Sequence, residues 1–178
     1  MGSKSYAPST IEVIGDISNG LFVETAELGY PVWGTKTQIY PFKVVNRIKI
    51  LGLWGEVGTT ITGACQAVFN YIQTTPSVAV APISTVCSTM AAMAYGSRVS
   101  FDGITVAQAL AVTAAPGISY HALGNITMIL GMAPTVAGVA SVGKIGWLSS
   151  VADATVGTLR FGLLYAPIDA GAYAEALL

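Results

Sequence analysis

Charge is scarce in this sequence. Its 178 residues hold eight Lys and Arg and nine Asp and Glu, so charged residues make up 10%, against about 25% in an ordinary globular chain. With a formal net charge of −1, it offers no basic surface for nucleic acid and no acidic surface to gather cations. Histidine is rarer still, since His121 is the only one. A serine triad needs a histidine poised between a nucleophile and a carboxylate, and no G-x-S-x-G accompanies it. In "GISYHALG", His121 falls in a strand-like run and reads as a packed or paired side chain. The two cysteines, Cys65 and Cys87, together with one histidine fall short of a zinc ligand set. They could pair, but their apolar, small-residue surroundings favour two buried thiols in a chain made in a reducing compartment.

Long, strongly apolar runs are also missing. Val57–Ser97 and Gly103–Gly143 each span 41 residues without Asp, Glu, Lys or Arg. Yet Pro76, Pro82, Gln66, Gln73 and Asn70 interrupt the first, and Pro116, Pro134 and Asn125 the second. Neither supplies the ~20 continuous apolar residues of a spanning helix. A membrane barrel would alternate similarly but carries many charges in its loops and lumen. The opening "MGSKSYAPST" shows no apolar h-region, so no signal peptide is expected, and Tyr6 breaks the myristoylation pattern.

Motifs for chemistry are equally thin. "GVASVGKI" falls one residue short of a phosphate-binding P-loop, because Ile145 stands where Ser or Thr would ligate magnesium. The next residues, "GWLSSVADATVG", start a helix poorly, so this stretch reads as a glycine-rich loop between strands. The nine acids are scattered singly, and nothing in their spacing promotes the close pair that glycoside hydrolysis needs. Asn125-Ile126-Thr127 matches a glycosylation sequon, without the leader that would bring it to the machinery. No catalytic residue, metal ligand or cofactor is expected, and the chain does not read as an enzyme.

What is present is β signal. In "FKVVNRIKILGLWGEV", Ile48 and Ile50 alternate with Arg47, Lys49 and Leu51, predicting a strand with one buried face. In "GTLRFGLLYAP", Leu159, Phe161, Leu163 and Tyr165 share one face, Thr158, Arg160 and Gly162 the other, and Pro167 ends the run. "GACQAVFNYIQT" fits either a short helix or a strand. Asn19-Gly20 and Asp102-Gly103 are hairpin signals between apolar runs. Short strands at near-regular spacing predict an all-β antiparallel sandwich, jelly-roll-like, over residues 41–178. Residues 1–40 read as an extended N-terminal arm. The Tyr-Pro steps at Pro31 and Pro41 favour extended backbone there, with Tyr30, Trp33 and Tyr40 as candidate contacts.

Two long uncharged blocks cannot all be core, because strands in a sandwich alternate between inside and outside. Some outward faces must be weakly polar, and such faces point to association. Thr105, Thr127, Tyr173 and Leu177 are the candidate interface positions.

The closing stretch "GKIGWLSSVADATVGTLRFGLLYAPIDAGAYAEALL" resembles the C-terminal strand and tail of small structural proteins of tailed bacteriophages. The likeness centres on Leu164 to Ala172, a strand that bends at Tyr-Ala-Pro and runs into Asp-Ala-Gly-Ala. The resemblance implies a virion component that folds as a β-sandwich, forms a symmetric oligomer, most often a trimer, and sits on the capsid surface or in a head fibre. It carries over no catalytic residue. The expectation is therefore a capsid decoration (cement) protein, made in the host cytoplasm. Its partners would be copies of itself and the major capsid protein, with no nucleic acid and no membrane. The alternatives are a capsid jelly-roll subunit, a head fibre, another tail protein, or a glycan-acting tail-associated hydrolase, which would need a carboxylate pair with raised pKa. A bacterial surface or outer-membrane β-protein is the remaining reading.

Overall fold

The computed structural model describes residues 20–35, 37–101, 111–113 (backbone alone), 128–135, 138–149 and 155–178. In chain order its strands are β1 (Leu21–Glu24), β2 (Leu28–Gly29), β3 (Ile39–Val45), β4 (Ile48–Thr62), β5 (Ala67–Thr75) and β6 (Ala79–Pro82). They continue as β7 (Arg98–Phe101), β8 (Ala111–Thr113), β9 (Ile129–Leu130), β10 (Val142–Ser149), β11 (Val156–Pro167) and β12 (Tyr173–Ala176). No helix occurs among the described residues. The strands form two antiparallel sheets. One runs β1-β11-β4-β7-β8, with β2 also on β11 and β9 also on β4; the other runs β12-β3-β10-β5-β6.

The alternation in the sequence decides which faces meet. Leu159, Phe161, Leu163 and Tyr165 of β11 all point into the core, as do Ile48 and Ile50 of β4. From the opposite sheet come Phe42 and Val44 of β3, Phe69 of β5 and Trp147 of β10. Phe69, Trp147 and Phe161 meet edge-on, with ring centroids 5.0 to 6.2 Å apart. That is the favoured geometry for aromatic rings whose edges are electropositive and faces electronegative. The chain is an antiparallel β-sandwich, as the strand pattern predicts.

Three segments differ from, or sharpen, the sequence expectation. Residues 30–34 form a turn rather than an extended strip, and the turn drops Trp33 fully into the core. The Trp33 indole N–H donates to the Gly157 carbonyl at 3.2 Å, and its own carbonyl accepts the Trp147 indole N–H at 3.2 Å. The second Tyr-Pro step, Tyr40-Pro41, lies in extended backbone within β3. With β1 and β2 both paired to β11, residues 21–35 are built into the sandwich. The ambiguous stretch at 63–74 resolves as strand from Ala67 onward: β5 buries Phe69, Tyr71 and Gln73 at period two, against β10 on one side and β6 on the other. The P-loop-like run divides: Gly138 to Ser141 lie outside the strands, as the loop reading expects, while Val142, Gly143, Lys144 and Ile145 lie inside β10.

The chain changes sheets at Asn46-Arg47, between β3 and β4. Asn46 takes a left-handed φ of 56°, which Asn tolerates better than most residues. Its amide donates to the Ser141 carbonyl at 2.9 Å, and its Oδ1 accepts the Ser141 amide at 3.0 Å. Next to it the Arg47 guanidinium grips Asp169 at 2.6 Å, which ties the corner to the turn between β11 and β12.

Candidate functional site

The sandwich leaves two outward faces, and their charge differs. On the outer face of the larger sheet, Arg160, Glu56 and Arg98 are direct cross-strand neighbours on β11, β4 and β7. Glu56 serves both cations: Oε2 meets Arg98 at 2.6 Å and Oε1 meets Arg160 at 2.8 Å. Arg160 also reaches Glu24 of β1 at 3.1 Å. Glu27 stands at the rim, where it accepts a hydrogen bond from the Thr158 hydroxyl. Gly58 makes room for it, since a Cβ there would run into the Glu27 carboxylate. Together with Tyr95, which is 71% exposed, Glu27, Glu56, Gly58 and Arg160 line a shallow depression of about 90 Å³.

An aromatic strip borders the charged row. Trp54 follows Gly162 across the strands, and its indole lies over that glycine so closely that a Cβ at 162 would collide with the ring. Phe22 stacks beside it at 5.8 Å and 13° between planes, and is 56% exposed. The Arg98 guanidinium sits 5.4 Å from the Trp54 ring centre, within reach of a cation–π attraction.

The chemistry of this face is set by Glu56. Burial alone would push its carboxyl up, but hydrogen bonds and charge from Arg98 and Arg160 outweigh that and hold it below the ordinary range. It stays ionised at neutral pH and is a poor proton donor, whereas a glycosidase acid needs a raised pKa.

The outer face of the smaller sheet is cationic instead. One transverse row runs Glu175, Lys43, Lys144, Ile72, Val80 across β12, β3, β10, β5 and β6. Lys43 pairs with Glu175 at 2.7 Å, while Lys144 lies 5.2 Å from the Tyr40 ring centre. Among the described residues no carboxylate pairs with Lys144. The row then turns apolar, and Val80 is 65% exposed.

The sequence-predicted positions scatter. Trp33 is inside the core; Tyr30 is exposed at the turn; Tyr40 is half-buried beside Lys144. Tyr173 and Leu177 are exposed on the C-terminal strand and tail. That tail is held by its own chain, through the Leu177 amide on the Pro41 carbonyl at 2.9 Å. Thr105, Thr127 and His121 lie outside the described residues, as do Asn125 and the Asp102-Gly103 turn. Cys65 and Cys87 are both buried and not joined to each other, and burial pushes the Cys87 thiol up. Among the described residues no group of His, Cys, Asp and Glu is placed to hold a metal ion, and no helix is long and apolar enough to cross a membrane.

Sequence reasoning does not single out the charged and aromatic row on the larger sheet. Alternation sets Arg160 opposite Leu159, but only strand register brings Glu56, Arg98 and Trp54 beside it. No protein-family model, curated protein or solved structure matches the chain. The fold and its faces define an antiparallel β-sandwich with one mixed-charge aromatic face and one cationic face.

Proposed function

We propose that this chain is a structural protein of a tailed-bacteriophage virion. It acts as a capsid decoration (cement) subunit that assembles with copies of itself and with the capsid. The observation that carries the reading is the edge strand β6. All four of its residues are exposed, Val78 just before it is 77% exposed and Val80 65%, and no charge lies anywhere between residues 57 and 97. Soluble monomers commonly guard such an edge with lysine or an inward charge, and its short length and Pro82 are the only protective devices here. An edge of this kind is suited to cover by another chain. The Thr59–Thr158 and Thr62–Thr155 hydroxyl pairs show how a surface poor in charge stays wetted elsewhere. The C-terminal likeness to phage structural proteins supplies the virion assignment.

Peptide mass spectrometry on density-banded particles of a phage that encodes this chain tests it. The chain should band with the capsid protein at a fixed ratio through repeated purification. Its absence from clean particles would overturn the assignment.

A further inference from the structure

Resting on that assembly reading, we infer that the two outer faces of the sandwich bind one another between copies, head to tail. The contact sets the Lys144 face of one subunit on the Glu27 face of the next. The larger sheet presents three carboxylates, Glu24, Glu27 and Glu56, against two guanidiniums, Arg98 and Arg160, a surplus of one negative charge. Lys49 shares that outer face but stands about 20 Å along β4 from Glu56, given the rise of a strand. The smaller sheet presents Lys43 and Lys144 against Glu175, a surplus of one positive charge. In each case the surplus sits on an identifiable residue. Glu27 has a hydroxyl partner but no ion pair among the described residues, and Lys144 has a ring but no carboxylate.

The faces match in polarity pattern too. On the larger sheet the charged row Arg160-Glu56-Arg98 lies beside the apolar strip of Phe22 and Trp54. On the smaller sheet the lysines lead directly into Ile72 and exposed Val80. A contact between unlike faces is heterologous, so it repeats around a ring where the rotation closes and runs on as a filament where it does not. It also covers the exposed Val80 side chain of β6. Opposed charges of this kind choose partner and register more than they add affinity.

Charge reversal tests this without touching the core, as Glu27 is exposed and Lys144 half-buried on the surface. Sedimentation velocity would compare wild type, Glu27→Lys, Lys144→Glu and the double variant, with circular dichroism confirming equal fold. Each single reversal should weaken association about tenfold, as expected for a like-charge contact. The double variant should recover it, and the two single variants should associate with each other when mixed. Wild-type oligomers that neither reversal weakens would overturn the face-to-face contact while leaving the assembly reading intact. A monomeric wild type would overturn both.

Discussion

Gly162 has no side chain because Trp54 occupies the space above it, and the same economy of single residues recurs inside the sandwich. Trp33 joins the two sheets by donating to Gly157 and accepting from Trp147. Trp33→Ala would leave a large cavity and orphan the Gly157 carbonyl, while the backbone carbonyl at 33 could still accept from Trp147, so it should cost about 3–5 kcal/mol in denaturant unfolding. Tyr71 is buried, and burial pushes its phenol up to about 12, while the hydroxyl donates to Gln73 at 2.8 Å. A folded pKa above the unfolded value of about 10 means the folded state holds the proton more tightly. That contribution is complete below pH 10 and is lost as pH rises through about 12. Melting temperature should therefore fall along this alkaline limb. Tyr71→Phe should flatten it, leaving the smaller share of Tyr165, whose phenol is also raised by burial.

At the level of elements, the corner between β3 and β4 determines how the chain passes from one sheet to the other. Arg47 holds the Asp169 carboxyl below its usual range, chiefly through their hydrogen bonds. A depressed folded pKa contributes stability that is present above the unfolded value of about 4 and lost as pH falls through the folded one. Glu56 behaves alike under Arg98 and Arg160. Asp169→Asn should thus lower stability at neutral pH and make the acid limb of the melting curve shallower, as calorimetry from pH 6 to 2 would show. The strands themselves are legible in the sequence: period-two alternation marks β11 residue by residue, and Ile48 and Ile50 mark β4. Their pairing is not. "FKVVNRIKI" reads as one continuous run, yet Asn46 sends its two halves into different sheets. Trp33 reads as an arm contact because local proline chemistry says nothing of the cavity waiting between Gly157 and Trp147. The mixed-charge face is half visible, since alternation turns Arg160 outward. Its partners Glu56 and Arg98 are 104 and 62 residues away in sequence, and only register makes them neighbours.

Across the whole molecule, scarcity of charge and the exposure of β6 have one physical consequence. A sandwich alternates inside and outside, so an uncharged run from residue 57 to 97 must place weakly polar surface outward. On the proposed assembly, cover by neighbouring subunits would remove that surface from water, and the surplus charges of the two outer faces would orient the neighbours. The solution mass of the wild-type chain decides whether this is so. Light scattering coupled to size exclusion at micromolar concentration should return a single species at an integer multiple of 18.3 kDa, threefold if the ring is the expected trimer. A clean, soluble species at 18.3 kDa itself would contradict the account.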